Sequence, residues 1–120
     1  MSPLVSPTDL PPLTLSRGVV PGRFLLEGAR FGLRNLTLVL GESAPGFAAP
    51  LHRHDYEEVF LIHGGRGTYY VGEDVVEAGP GDVVLVPSMV PHRFANHGTE
   101  PLDHTAIHAT GTFIEDLLEP

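Results

Sequence analysis

The chain has 120 residues, 42% of them hydrophobic, which suits a single domain with one real core. Seven basic against 15 acidic residues give a formal charge of −8, which argues against nucleic acid or an anionic membrane as partner. The absence of cysteine excludes disulfides and thiolate metal sites. Residues 1–15 lack the charged and apolar regions of a secretory signal, and no apolar run approaches a membrane span, so we expect a cytoplasmic location.

The first 22 residues are rich in proline, which disfavours a helix and predicts an extended arm. These prolines are Pro3, Pro7, Pro11, Pro12 and Pro21. We therefore divide the chain into a proline-rich arm over residues 1–22 and one domain over residues 23–120.

The rest of the chain predicts short strands separated by turns, because 14 glycines and 12 prolines punctuate β-rich runs. The predicted strands are Phe31–Leu40, 50–54, 57–63, Thr68–Val71, 75–77, Val83–Val86, His92–Asn96 and Leu102–Ala109. This number of strands predicts an all-β sandwich or barrel. Between Thr112 and Leu118, apolar residues recur at i, i+1, i+4 and i+5, which predicts one short C-terminal helix.

Three histidines and a glutamate form a candidate metal site: His52, His54, Glu58 and His92. Imidazole nitrogen with carboxylate oxygen suits a divalent transition metal. On a helix His52 and His54 would point about 200° apart, whereas on a strand residues i and i+2 share a face. Glu58 has the same parity but lies too far along a straight strand, so we expect a turn at Asp55 and Tyr56 before a returning strand.

Two spaced motifs resemble those of the cupin family. The first runs through Gly46, His52, His54, Glu58 and Gly65, and the second through Gly81, Pro87, Met89, His92 and Asn96. Nine of these ten positions match the family pattern, and Met89 stands in the place of its glycine. Met89 there implies either a different turn or an energetic cost.

The resemblance implies a double-stranded β-helix, or jelly roll, holding one metal ion. The ion could be iron, manganese, nickel, zinc, cobalt or copper, because this ligand set accepts all of them. Parity with His54 and the family spacing favour Glu58 over its neighbour Glu57 as the ligand. The alternative is a barrel that keeps the fold but binds no metal.

Two further histidines, His104 and His108, share a strand face with Ala106 on the last predicted strand. If that face points into the barrel, His104 is a candidate acid or base for catalysis, and Ala106 beside it leaves room for a substrate. The simpler interpretation is an exposed or merely hydrogen-bonded histidine, and it is favoured more strongly for His108.

Two functions from different classes follow from this site. The first is a small metal-dependent enzyme acting on a carboxylate- or carbonyl-bearing molecule, of the dioxygenase, lyase, decarboxylase or isomerase type. The second is a non-catalytic module that binds or senses a small molecule. Polar groups beside the metal inside the barrel would favour the enzyme, and an apolar lining would favour the module.

We also expect a homodimer, because the apolar strand Phe31–Leu40 and the arm leave surface that a lone barrel would expose.

Overall fold

A computed structural model describes residues 2–114 and 116–118, with only the backbone described at 116 and 117. Strands dominate this part of the chain. They are β1 (Pro12–Leu15), β2 (Gly18–Leu26), β3 (Thr37–Ser43), β4 (His52–Arg53), β5 (Glu58–Gly64), β6 (Gly67–Val71), β7 (Asp74–Ala78), β8 (Val83–Val86), β9 (His92–Ala95), β10 (Leu102–His108) and β11 (Asp116–Leu117). Two single-turn 3₁₀ helices, Pro7–Asp9 and Gly28–Phe31, complete the described elements.

The strands form two antiparallel sheets that enclose the core of a jelly-roll-like barrel. One sheet has the order β1-β2-β3-β10-β5-β8, and the other has the order β11-β4-β9-β6-β7. Side chains alternate across each strand, so in β10 every second residue from Leu102 to His108 is buried. In β8, Val84 and Val86 face the core, while Val83 and Leu85 face outward. The predicted all-β fold is therefore confirmed.

The core lies between the sheets and is built from their inward side chains. It includes Phe60, Ile62, Tyr69, Val86 and Leu102, each no more than 3% exposed. Burying an aliphatic or aromatic side chain of this size contributes about 1.5–3 kcal/mol. Truncating Leu102 to alanine would therefore cost roughly 2–5 kcal/mol.

The proline-rich N-terminus contributes two strands of the larger sheet. β1 pairs with β2 at the sheet edge, and β2 pairs with β3. Pro21 is paired in neither ladder, because it lies between Val19 and Phe24 in the pairing with β1 and before Arg23, where the pairing with β3 begins, so its missing N–H removes no ladder bond. The boundary predicted at residues 22 and 23 falls inside β2, and the division into arm and domain stays a prediction.

Two expectations about secondary structure were wrong. Residues 112–114 and 116–118 do not form the predicted helix, and Glu115 lies outside the described residues. Their backbone groups form hydrogen bonds with a neighbouring segment of the barrel instead of within a helix: Leu118 N donates to Leu51 O at 2.9 Å, and β11 pairs with β4. The strand predicted from Phe31 begins only at Thr37, because Gly28–Phe31 makes a 3₁₀ turn that ends at Gly32 with φ 81°.

None of the helices in the described part of the chain has the length and apolar character needed to cross a membrane.

Candidate metal centre

The four predicted ligands converge at one end of the barrel, where the two sheets meet. β4 carries His52, and its partner strand β9 carries His92 directly opposite. Glu58 opens β5 in the other sheet, and His54 lies in the connection between β4 and β5. The chain turns between His54 and Glu58 as predicted, and this turn brings the carboxylate back to the imidazoles.

The ligand atoms of these residues lie within 4.8 Å of one another, and all four side chains are buried. Glu58 Oε1 is 2.8 Å from His54 Nε2 and 3.0 Å from His92 Nε2. The backbone thus brings three nitrogens and one carboxylate together in a water-poor position, as a transition-metal site requires.

Backbone carbonyls fix the orientation of all three imidazoles. Each Nδ1 faces the carbonyl of a residue two positions away: His52 with Pro50 at 2.8 Å, His54 with Tyr56 at 2.8 Å, and His92 with Val90 at 2.9 Å. A carbonyl only accepts, so each Nδ1 carries a proton and donates it. In a neutral ring the Nε2 atom then carries a lone pair that is directed into the site. This tautomer is the one that binds a metal through Nε2.

The charges of the cluster also favour a cation. Burial opposes ionisation of Glu58, but the neighbouring imidazole of His108 and the hydrogen bonds with His54 and His92 outweigh it and hold the pKa of Glu58 below its ordinary value. Burial likewise lowers the pKa of His52, which favours its neutral form. The Nε2 atoms of His54 and His92 lie 2.8 and 3.0 Å from the Glu58 carboxylate. Imidazole nitrogens gathered around a carboxylate are a donor set that fits a divalent metal ion.

A fifth polar residue, His108, borders the cluster and was ranked below His104 by the sequence analysis. It lies opposite Glu58 on the adjacent strand, with Nε2 3.4 Å from Glu58 Oε2. Its Nδ1 is 2.9 Å from the hydroxyl of Tyr56, which donates to Ile114 O at 2.7 Å. Burial lowers the pKa of His108 to about 4, so the ring is neutral near pH 7. The pairing of β10 with β5 places His108 here, and strand parity alone does not contain that information.

His104 faces the barrel interior but lies deeper than the predicted ligands. It is opposite Ile62 on β5, four residues from His108 along the strand, and is fully buried. Its Nδ1 is 2.6 Å from the Tyr69 hydroxyl, and its ring stacks on Phe60 with centroids 5.3 Å apart. Burial lowers its pKa to about 3. The catalytic role predicted for His104 stays a prediction.

A small cavity adjoins the cluster inside the barrel. Its volume is about 50 Å³, enough for roughly three to five waters. Four polar residues line it: Arg23, His52, Glu58 and His108. The remaining wall is apolar and consists of Leu13, Leu15, Val20, Val39, Phe47, Ala49, Pro50, Phe60, Phe94, Ala106 and Phe113. His104 is absent from this lining, and β1 supplies one side of it.

Two other motif residues shape the surroundings of the ligands. Met89, in the place of the family glycine, adopts φ 66°, and its amide donates to His54 O at 2.8 Å. The left-handed turn is therefore kept with a residue that disfavours it. Asn96 is fully buried, and its amide nitrogen donates to the carbonyls of Ser43 and Glu100 at 3.0 and 2.9 Å. Asn96 thus secures the end of β9, the strand that carries His92.

Comparison with known proteins gives the same family as the motifs. Residues 39–108 match the model of the cupin domain. The chain is 31% identical over 64 residues to auxin-binding protein T92 of Nicotiana tabacum, covering 53% of this chain and 34% of that protein. It is 36% identical over 53 residues to an uncharacterized protein of Methanocaldococcus jannaschii, covering 43% and 42% of the two chains. The chain thus spans about a third of the auxin-binding protein it matches.

Solved structures share the fold at low sequence identity. A deletion mutant of oxalate decarboxylase from Bacillus subtilis superimposes with a TM-score of 0.79 and 20% identity, covering 95% of this chain and 31% of that one. A further structure of that enzyme, whose Mn(II) centres were characterised, gives a TM-score of 0.73 and 23% identity, covering 81% of this chain and 28% of that one. Identities of this size support the fold alone. With the family model matching residues 39–108 and a buried His₃Glu cluster at the motif positions, this chain belongs to the cupin domain family.

Proposed function

We propose that the chain holds one divalent transition-metal ion on His52, His54, Glu58 and His92 and acts through it as a small metal-dependent enzyme. The substrate is a small molecule that presents a carboxylate or carbonyl oxygen. The observation that carries the proposal is the convergence of three Nε2 lone pairs and one carboxylate beside a cavity. An ion there supplies Lewis-acid or oxygen chemistry.

The residues around the ion would select and orient the substrate. His52 and Glu58 border the cavity, so a molecule inside it approaches the ligands from within the barrel. The apolar walls exclude water, which strengthens the remaining polar contacts. His108 lies next to Glu58 on the same cavity wall and offers a polar contact that the four ligands do not use. Oxidative cleavage, decarboxylation or another lyase reaction, and isomerisation are all compatible with these groups.

The alternative function is a non-catalytic module that binds or senses a small molecule. The largely apolar cavity wall favours it, because few side chains there can move a proton. Similarity to proteins named as auxin-binding also favours it. His108 and Arg23 on the wall favour the enzyme instead, since an apolar binding pocket does not need them.

Metal analysis followed by turnover assays tests the proposal. Protein made without a histidine tag should contain about one transition-metal ion per chain, and a screen of small carboxylates and carbonyl compounds with that metal should give turnover. Loss of turnover on substituting His52 would tie activity to the site. Tight ligand binding without turnover would support the module, and absence of metal after loading would contradict the metal-dependent enzyme.

We also propose that the chain forms a homodimer through the outer face of the larger sheet. An apolar row crosses five neighbouring strands there, formed by Leu85, Val59, Ile107, Leu38 and Leu26. Leu85 is 68% exposed, and burying such a row would be favourable. Light scattering should give twice the 12.9 kDa chain mass, and Leu85→Asp should lower it. A wild-type monomer at micromolar concentration would contradict the proposal.

The cytoplasmic location expected from the sequence stays a prediction.

A further inference from the structure

The cavity beside the metal centre contains a buried cation, Arg23, that the sequence analysis did not single out. Arg23 lies on β2, is 2% exposed and lines the cavity. Its guanidinium donates to three backbone carbonyls: those of Gly41 and His104 at 2.6 Å and that of Val39 at 3.3 Å. A guanidinium has five N–H donors. These three bonds therefore leave part of its donor capacity for another acceptor.

No carboxylate of the described residues lies within 4 Å of this guanidinium, so its charge has no direct counter-ion in the described part of the chain. Burial lowers the pKa of Arg23 to about 10, while Tyr69, Asp103 and Glu58 oppose that effect from a distance. Arg23 is therefore charged near pH 7. A buried charge is costly unless it is paired. Carbonyl dipoles solvate the cation but leave its net charge in place, which makes the cavity attractive to an anion.

The position of Arg23 relative to the metal centre follows from the strand register. His108 lies opposite Glu58, while Ala106, two residues earlier on β10, lies opposite both Phe60 and Val39. Arg23 contacts the carbonyl of Val39, level with Ala106, and the carbonyl of His104, two residues farther from Glu58 along β10. Two strand residues span about 7 Å. The cavity therefore runs from the ligands, past the small side chain of Ala106, to the guanidinium.

We propose that Arg23 binds the anionic group of a two-headed ligand, a short organic acid whose second oxygen-bearing group faces the metal centre. This inference rests on the proposed function for the second group only. The planar guanidinium fork suits a carboxylate, and the apolar wall between the two polar ends suits a short hydrocarbon body. Arg23 would then select acids over neutral molecules of the same shape.

Titration of the metal-free protein tests Arg23 separately from the metal. Butanoate and butanamide have the same shape and differ in charge, and ¹⁵N NMR can detect weak binding of both. Butanoate should bind about tenfold or more tightly than butanamide, as expected for a charge-assisted hydrogen bond, with shifts centred on Arg23 and Ala106. Equal affinities, or shifts confined to the surface, would overturn the inference.

Two variants assign the selectivity to Arg23. Arg23→Gln should reduce butanoate binding to the level of butanamide, and Arg17→Gln, which removes an exposed arginine, should leave it unchanged. Butanoate binding that survives Arg23→Gln would overturn the inference. If Arg23→Gln fails to fold, Arg23→Lys keeps the charge and should still prefer butanoate, and loss of that preference in a folded Lys variant would count against it.

The second group of the ligand is tested by loading the protein with zinc. 4-Oxobutanoate, which carries its carbonyl at the end opposite the carboxylate, should then bind more tightly than butanoate, and this advantage should disappear in the metal-free protein. A protein that takes up no zinc but still selects butanoate would contradict the proposed function and leave Arg23 as an anion site. A protein that takes up zinc but shows no preference for butanoate would overturn the inference about Arg23 and leave the proposed metal site in place.

Discussion

Two regions of the barrel interior, the metal site and the packed core around His104, hold buried histidines with different polar partners. At the metal end, three imidazoles are fixed by carbonyls and direct Nε2 atoms at Glu58. In the packed core, His104 Nδ1 is 2.6 Å from the Tyr69 hydroxyl, its Nε2 has no hydrogen-bond partner among the described residues, and its ring packs between Phe60 and Phe94. The first arrangement contains an anionic carboxylate that a cation would neutralise, whereas the second contains only neutral groups.

His104 and His108 make the comparison sharper, because they share one strand and one face. His108 lies opposite Glu58 and borders the cavity, whereas His104 lies opposite Ile62 in the packed core. Strand parity assigns a side chain to a face of the sheet. Only the register with the neighbouring strand decides how deep along the barrel it lies. The same residue type can therefore belong to a metal centre or to the core.

Removing a ligand at the metal end should have the largest effect. His92→Ala deletes one of four donors and leaves Glu58 without one of its two closest partners. Metal affinity should fall by more than about 100-fold, since loss of an outer-shell partner alone costs about 10–100-fold. Metal content after dialysis measures this loss. His97→Ala, at an exposed histidine in the loop after β9, is the control, and equal metal content in both variants would contradict the assignment.

Removing the hydroxyl that orients His108 should have a smaller effect. Tyr56→Phe leaves His108 Nδ1 without that partner and releases Ile114 O. The expected loss of stability is about 1–3 kcal/mol, the cost of an unpaired buried polar group. Urea denaturation measures it, with Tyr70→Phe as the control because the Tyr70 hydroxyl makes an exposed contact with His97 at 3.3 Å. Indistinguishable midpoints for the two variants would show that the Tyr56 hydroxyl does not support the fold.

In the packed core, His104 should make the free energy of unfolding depend on pH. Its pKa is about 3 in the folded chain and about 6.5 in the unfolded chain. Between these values the unfolded chain binds the extra proton, so stability should fall as the pH drops from 6.5 toward 3. The slope from this group is at most about 1.4 kcal/mol per pH unit. Denaturation of metal-free protein measures it.

His104→Gln should flatten that pH profile, whereas His63→Gln, at an exposed histidine, should not. Parallel profiles for wild type and His104→Gln would refute the effect of burial. The same variant tests the catalytic prediction for His104: if the protein is an enzyme and the prediction is right, turnover is lost while metal and fold are kept.

Substituting Met89 should give the smallest change in stability, and this change should be a stabilisation. Its φ of 66° costs roughly 1–2 kcal/mol for a residue with a side chain. Met89→Gly removes that cost but adds about 0.5–1 kcal/mol of backbone entropy. The net result should be a stabilisation of about 0.5–1 kcal/mol. Thermal unfolding measures it, and Met89→Ala should show no gain. A destabilised glycine variant would mean that the Met89 side chain contributes to packing.

The sequence predicted what depends on local spacing. His52, His54 and Glu58 are separated by a few residues, so strand parity and one turn determine their relation. His92 required the family motif, because nothing local connects residue 92 to residue 58. The alternation of β10 was also readable, whereas that of β8 was not, because Val83–Val86 is a continuous apolar run that nevertheless presents Val83 and Leu85 to solvent.

Features that depend on pairing between distant segments could not be predicted. His108 and Arg23 enter the cavity through the pairing of β10 with β5 and of β2 with β3. The C-terminal apolar spacing at Phe113, Ile114, Leu117 and Leu118 fitted a helix. Hydrogen bonds from Tyr56 and to Leu51 instead hold that segment extended against the barrel. Side-chain periodicity over seven residues carries no information about such partners.

The most direct test of the metal centre is anomalous diffraction from crystals of the protein made without a tag and loaded with one transition metal. The account predicts a single strong peak inside the barrel, with His52, His54, Glu58 and His92 coordinating it at about 2.0–2.3 Å through nitrogen and oxygen. A peak outside the barrel, a site lacking any of these four side chains, or no peak in loaded crystals would contradict it.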